Sequence, residues 1–248
     1  VKAVILAAGY ATRLYPLTLD TPKCLLEIGG RTILDLLCLK LSRLKALEEI
    51  LIVTNAKFFG RLEAWGKKAG LSCPVRVLND GTTSNETRLG AIGDLRFAIE
   101  KGGVRSDILM LASDNLFEAG FEGFMRFSAE KKDAVCVGLH DIGDPTLAAG
   151  KFGVLETARD GRVTGMEEKP ERPRSTLIGM GVYYFPAASL GLVREYLDSS
   201  SAKDAPGFYI QWLLKKGPVF GFQFPGMWYD IGDLKSLEEA RGKYVEQA

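Results

Sequence analysis

Through its first 140 residues the chain repeats one pattern: a short, nearly continuous apolar run, then a longer stretch with apolar residues at helical spacing. A run with no polar face reads as a strand buried on both sides, and the sheet that buries both faces is a parallel one wound by crossover helices. The runs are residues 2–7, 50–54, 75–79, 108–112 and 134–139. Between them, residues 33–47 repeat Leu or Ile at helical spacing behind Thr32, a residue suited to N-capping, and residues 85–101 do so less regularly behind Ser84.

After about Gly150 the pattern changes. Residues 152–158 and 162–169 flank Asp160-Gly161, a hairpin signal, and residues 179–185 form a Gly-interrupted apolar strand. Helical stretches follow at 187–197 and 207–216, then a strand at 219–224 and a final amphipathic helix from 234 to about 246, with Asp233 as its N-cap. Residues 198–206, rich in Ser, Ala and Asp, are the expected flexible loop. The expectation is one mixed α/β unit: residues 1–140 as a mostly parallel half, 141–233 as a smaller antiparallel half, and 234–248 as a closing helix.

Lys and Arg number 32 against 31 Asp and Glu, a formal charge of +1, so no global field draws the chain to nucleic acid or to anionic membrane. An anion site must be a local cluster. Cys24, Cys38, Cys73 and Cys136 form no C-x-x-C pair, which argues against zinc and redox motifs and for reduced thiols. No apolar run approaches the roughly 20 residues of a spanning helix. Val1-Lys2-Ala3-Val4-Ile5-Leu6 shows no basic region followed by an apolar core and cleavage site, and a cytoplasmic location is expected.

The first strand runs straight into Ala8-Gly9-Tyr10-Ala11-Thr12-Arg13, with Lys23 shortly after. In open α/β sheets, ligands bind at the loops that follow the carboxyl ends of strands. Small residues at 7, 8, 9 and 11 let the backbone approach a ligand and donate N–H groups to phosphate oxygens, while Arg13 and Lys23 add positive charge. The spacing matches neither G-x-G-x-x-G nor the Walker loop.

The run Leu6-Ala7-Ala8-Gly9-x-x-Thr12-Arg13-Leu14-x-Pro16-Leu17-Thr18, continuing to Pro22-Lys23, resembles the signature of the sugar-1-phosphate nucleotidyltransferases. Ala112-Ser113-Asp114-Asn115, Glu167-Glu168-Lys169-Pro170 and Trp228-Tyr229-Asp230-Ile231-Gly232 extend the resemblance, in the family's order, over almost the whole chain. It implies a Rossmann-like three-layer α/β/α fold and Mg²⁺-dependent transfer of a nucleotidyl group from a nucleoside triphosphate to a sugar 1-phosphate, with release of pyrophosphate. A phosphate monoester has its second pKa near ~6, so the attacking group needs no base at neutral pH. The barrier lies in bringing two anions into line, which calls for metal, cationic side chains and backbone donors.

By that resemblance Arg13 neutralises the triphosphate and the departing pyrophosphate, and Lys23 bridges the reacting phosphates. Leu6, Ala8, Gly9, Tyr10, Ala11 and Thr12 cradle the nucleotide, Asp114 and Asp230 are the Mg²⁺ ligands, and Lys169, Glu168 and Gly153 meet the sugar phosphate. Taken singly, each has a plainer reading as a solvated charge, a turn former or a strand end. Their joint recurrence, in order, outweighs those readings.

Ala11 and Ser113 stand where many family members have Gly; Ala11 fits a phosphate loop unless its φ is positive. Residues 79–91 lack the Gln and Gly-Leu-Ala that read the base in thymidylyl- and uridylyltransferases, so base identity stays open, with a pyrimidine triphosphate expected. The spacing of Asn79 and Asn85 is also similar to phosphocholine cytidylyltransferases, for which Tyr183, Tyr184, Tyr209, Trp212 and Trp228 could supply aromatic faces to a quaternary ammonium. A further alternative is a regulatory subunit that binds nucleotide sugar without turnover. No β-helix or acyltransferase extension is present in the 248 residues, and a monomer or homodimer is expected.

Overall fold

The structure, a computed structural model, describes residues 1–200, 202 and 204–244. All five expected apolar runs are strands: β1 (Lys2–Leu6), β4 (Glu49–Thr54), β5 (Val75–Asn79), β6 (Ile108–Ala112) and β8 (Val135–Asp141). A small ribbon, β2 (Glu27–Ile28) with β3 (Arg31–Thr32), and a short strand β7 (Asn115–Phe117) are interposed. The second half adds β9 (Gly153–Thr157), β10 (Val163–Glu168), β11 (Leu177–Phe185), β12 (Val219–Gln223) and β13 (Trp228–Asp230).

Nine of these strands make one sheet. β4, β1 and β6 are parallel neighbours and β5 extends them parallel to β4. β11 then lies antiparallel to β6 on one side and to β8 on the other, and its first residues carry the β9–β10 hairpin. The two halves of the chain are therefore joined through the β6–β11 pairing. The antiparallel expectation for the second half needs one correction, because β12 runs parallel to β8. Parallel neighbours need a long connection, and the chain between β8 and β12 carries β9, β10, β11 and the two helices that follow.

The sheet is covered on both faces, as buried apolar runs require. On β1, Val4 packs with Leu51, Val53, Ile92, Leu95 and Ala98 on one side. Ala3 and Ile5 face the opposite side with Leu34, Leu37, Leu41, Leu62 and Phe124. In the first set Leu51 and Val53 come from β4 and the rest from α3 (Ala91–Gly102), joined by α5 (Leu190–Ser199) and α6 (Pro206–Leu213); the second comes from α1 (Ile33–Leu41), α2 (Phe59–Lys68) and α4 (Glu122–Glu130). This is the three-layer α/β/α architecture. Each such Leu or Ile removed from water contributes roughly 1.5–3 kcal/mol.

Several boundaries differ from those the periodicity suggests. α1 has the expected Thr32 cap, in a reciprocal box with Asp35, but it ends at Leu41 rather than 47. There the Ser42 hydroxyl donates to the Leu39 carbonyl, and Leu44 and Leu47 close i→i−3 turns that still bury Leu44. α3 starts at Ala91 rather than 85, because Gly90 takes φ 79° and ψ 163°, which no helix continues through. α2 and α4 were not legible: both are short, and Gly60, Gly66 and Gly123 interrupt their patterns. Residues 187–189 form a separate 3₁₀ turn before α5. In the expected loop at 198–206, residues 198–199 end α5, and 201 and 203 lie outside the described residues. α7 (Leu234–Lys243) opens on Asp233, whose carboxylate accepts from the Ser236 N–H; the expected continuation over 245–248 also lies outside them. No helix among the described residues is long and apolar enough to cross a membrane.

Candidate active site

The loop after β1 is held by its carbonyls. Thr54 Oγ1 donates to the Ala7 carbonyl at 3.1 Å, Asn55 Nδ2 to Ala8 at 2.9 Å, and the fully buried Thr18 hydroxyl to Ala11 at 2.8 Å. The amides of Gly9, Tyr10 and Ala11 have no acceptor among the described residues. They are the donors a phosphate would find. Ala11 sits at φ 48°, ψ 42°, so the alanine occupies the left-handed conformation for which glycine is suited. Leu14, fully buried with Ile28, Ile33, Leu116, Ile231 and Leu237, pins the far end of the loop to a small separate core. The Tyr15-Pro16 peptide is cis.

This loop forms one wall of a cavity of about 540 Å³. Leu6, Ala8, Gly9, Tyr10, Ala11, Thr12, Arg13, Lys23, Asn85, Asp114 and Lys169 all line it. A second cavity of about 190 Å³ adjoins, sharing Ala112, Gly181, Tyr183 and Pro206, and is lined by Gly153, Glu168 and Asp230. Asn79 stands apart: it lines neither, and its Oδ1 accepts from the Gly81 N–H at 2.9 Å, shaping the turn after β5. Of the sequence-derived residues, Asn79 and the aromatic candidates Tyr184, Tyr209 and Trp212 line neither cavity, whereas Tyr183 and Trp228 do.

Where the two cavities meet, β7 and β13 pair antiparallel with Asp230 opposite Asn115, and the Ile231 N–H donates to the Asp114 carbonyl at 3.0 Å. That pairing brings residues 114 and 230 together across more than a hundred positions of chain. Asp114 Oδ2 is 2.7 Å from Lys23 Nζ, and its Oδ1 accepts from Asn115 Nδ2 at 3.0 Å. Burial first, and then the neighbouring Asp114 carboxylate, push Asp230 above the usual carboxylate range, against the pull of Lys23 and Arg13. The Arg13 guanidinium lies over Gly232, where an added Cβ would be 3.8 Å from Nη1.

Two adjacent carboxylates, one disfavoured as an anion, form a donor set that a divalent cation relieves. Among the described residues no group of three or more His, Cys, Asp or Glu gathers as a metal cage. A two-carboxylate site fits Mg²⁺, which keeps several waters and takes its remaining oxygens from phosphates.

The smaller cavity is more apolar. Phe152 and Trp228 meet edge to face at 5.5 Å, Trp228 Nε1 donates to Asn115 Oδ1 at 2.7 Å, and Tyr183 and Met166 complete the wall. Glu168 reaches this space between Gly153 and Gly207, and burial raises its carboxyl above the ordinary range while Lys169 opposes the shift. Lys169 has φ 49° and donates its N–H to the Phe152 carbonyl at 3.2 Å, so its exposed side chain leaves from a left-handed bend at the end of β10. A non-glycine residue held at positive φ in a cleft is a conformation that the surroundings must over-determine.

Sequence reasoning missed Asn115 and Asp94. Asn115 looks like any polar residue next to an acidic one; its part in the Asp114 and Trp228 hydrogen bonds depends on the β7–β13 pairing. Asp94 had a readable signal: it interrupts the face that Leu95 and Ala98 bury, and it lines the larger cavity at 6% exposure.

A family model described as nucleotidyl transferase matches residues 2–247. Among solved structures, a Bacillus anthracis protein designated a glucose-1-phosphate thymidylyltransferase, crystallised with a sucrose, superposes with a TM-score of 0.80 at 24% identity, over 100% of this chain and 97% of that one. A UDP-glucose pyrophosphorylase complexed with UDP-glucose gives 0.82 at 19% identity, covering 97% of each chain. The apo form of a UDP-glucose pyrophosphorylase gives 0.78 at 18%, over 97% and 96%.

Proposed function

The chain belongs to the nucleotidyl transferase family, and from that premise we propose that it joins a nucleoside triphosphate to a sugar 1-phosphate and releases pyrophosphate, using Mg²⁺. The observation that carries this reading is the junction of two adjoining cavities, where Lys23, Asp114 and Asp230 meet beside a loop of free amides. A triphosphate lies along residues 8–13, with its anionic end toward the amides and Arg13. The second phosphate enters from the Lys169 side, its sugar in the smaller cavity against Glu168 and Gly153. Lys23, between the two, offsets charge on both reacting groups.

No side chain is needed as a base, because the attacking monoester is largely a dianion at neutral pH. What the residues supply is alignment and charge compensation: fixed amides and cations lower the cost of bringing two anions together and cost little reorganisation at the moment of transfer. Asp114 and Asp230 hold the Mg²⁺, which when bound polarises the phosphoryl oxygens. The departing pyrophosphate leaves past Arg13. A cytoplasmic monomer or homodimer belongs to the same proposal.

A second reading has one specific observation behind it. The smaller cavity sets Phe152, Trp228 and Tyr183 around the half-buried Glu168 carboxyl, a lining that also suits a quaternary ammonium, as in phosphocholine. Pyrophosphate release measured with Mg²⁺, five nucleoside triphosphates, and a panel of sugar 1-phosphates plus phosphocholine separates the two. Release with a sugar 1-phosphate is expected; release with phosphocholine alone selects the second reading, and silence throughout overturns both.

A further inference from the structure

The polar interruption of α3 lines the larger cavity. Asp94, in the first turn of that helix, is packed beside Leu95 and Ala98 and lines the cavity together with Asn85 and Gly90. Its Oδ1 is buried without a donor, and so is Oδ2 of Asp80, on the loop that follows β5. The other Asp80 oxygen is already taken, accepting from both the N–H and the hydroxyl of Thr82 at 2.7 Å. Asp80 and Asp204 are the charged neighbours that, after burial, raise the Asp94 carboxyl.

Two neighbouring buried acceptors without donors are costly unless a proton is retained to satisfy them. A proton held by the pair satisfies Oδ1 of Asp94 and Oδ2 of Asp80 together. It also fixes Asp94 in place and leaves its second oxygen as an acceptor for whatever occupies the cavity. Burial, followed by the neighbouring Asp80 charge, pushes Asp94 up to about 8, so the pair retains that proton at neutral pH.

The walls of the cavity differ in charge. Arg13 and Lys23 line it beside the loop after β1, whereas Asp94 and Asp204 line it beside α3, with Asp80 behind Asp94 and Arg88 engaged by Asp204. A nucleotide with its phosphates among the cations places its base against the acids. We infer that Asp94, backed by Asp80, is a specificity-determining residue that accepts from the exocyclic amino group of the base, so that cytosine, adenine or guanine is taken in preference to uracil or thymine. A 4-keto pyrimidine offers a single ring N–H flanked by two carbonyl oxygens, and those oxygens would face the same acidic wall. Sites that hydrogen-bond a substrate group reject analogues lacking it far more strongly than apolar pockets reject a change in size.

This inference rests on the nucleotidyl-transfer reading for the orientation of the ligand, and binding and turnover test the two separately. Calorimetry with CTP, ATP, GTP, UTP and dTTP, alongside kcat/KM for each, is the experiment. At least one amino-bearing nucleotide should bind tenfold or more tightly than UTP and dTTP. Asp94→Asn, which replaces the acceptor with an amide that can donate, should erase that preference. Asp80→Asn, whose amide supplies the missing donor to Asp94, should retain it. Wild-type protein that binds UTP or dTTP as tightly as the others, or an Asp94→Asn variant with an unchanged ratio, overturns the assignment. Binding with the expected preference but no pyrophosphate release would overturn the transfer reading and leave this one standing; turnover without preference would do the reverse.

Discussion

Lys23 and Asp114 stand 2.7 Å apart, ammonium to carboxylate, at the point where the two cavities join. Without substrate, the lysine occupies an oxygen of the residue proposed to hold Mg²⁺, so cation and ammonium compete for the same carboxylate. In Lys23→Met that competition is gone, and the nucleotide-free protein should bind Mn²⁺ more tightly in a paramagnetic titration. Turnover should nevertheless fall by 10² or more, the usual cost of removing one preorganised charge from a reacting phosphoryl group. Weaker Mn²⁺ binding by the variant would contradict the competition.

Asp230 is disfavoured as an anion by burial and by Asp114. Asp230→Asn keeps the shape and removes the repulsion, so the folded state should be no less stable in urea than the wild type. Activity should drop by orders of magnitude. An active variant would remove Asp230 from the metal site; a strongly destabilised one would give it a structural role instead.

Gly207, in the first turn of α6, leaves the space that Glu168 occupies. A Cβ there would run into both Glu168 Oε2 and the Met166 methyl group. Gly207→Ala should destabilise by about 1–3 kcal/mol, the range for overpacking, and push the carboxylate out of its place. Because Gly207 lines only the smaller cavity, KM for the phosphate acceptor should rise while KM for the triphosphate stays near the wild-type value. A change confined to the triphosphate would mean that the two cavities are assigned the wrong way round.

The loop after β1 carries its own strain in Ala11, at φ 48°. Ala11→Gly relieves a left-handed alanine, which costs roughly 1–2 kcal/mol, and returns part of that through the added freedom of the unfolded chain. A net gain of about 0.5–1 kcal/mol in urea denaturation is expected, with little change in KM for the triphosphate if the Thr18 hydroxyl still holds residue 11. Ala11 also packs against the small core around Leu14, and loss of stability would show that this contact outweighs the relief of backbone strain.

The central strands were legible because burial on both faces leaves an unbroken apolar run, as in Ile50 to Val53. The bend after β1 was legible because a run of small residues follows directly on an apolar strand. Less visible was anything decided by long-range pairing. The meeting of residues 114 and 230 depends on β7 and β13, three residues each, too short to leave a periodic signature. Asn79 is the opposite case: a residue type suited to a site, in the expected segment, whose side chain accepts from its own turn and lines neither cavity. Asp94 could have been read as an acid on an apolar helix face, but its partner Asp80 lies beyond a loop that the helical pattern wrongly shortened.

The acid pair at that helix makes stability depend on pH in a direction opposite to that of a salt-bridged carboxylate. Asp94 is raised from 3.8 to about 8 in the folded protein, through burial and the facing charges of Asp80 and Asp204, with Arg88 held by Asp204. Between those values the folded state binds more protons than the unfolded one, so stability falls as pH rises. The slope has an upper limit of about 1.4 kcal/mol per pH unit for one group, and it vanishes above the folded value. Asp94→Asn is neutral throughout and lacks this component. Urea midpoints for both proteins from pH 5 to 9 should therefore diverge steadily, with the variant gaining on the wild type until about pH 8 and the difference then constant. Parallel curves, or a wild type that gains on the variant with rising pH, would mean that the carboxyl at 94 is ionised in the folded chain and that the shared proton does not exist.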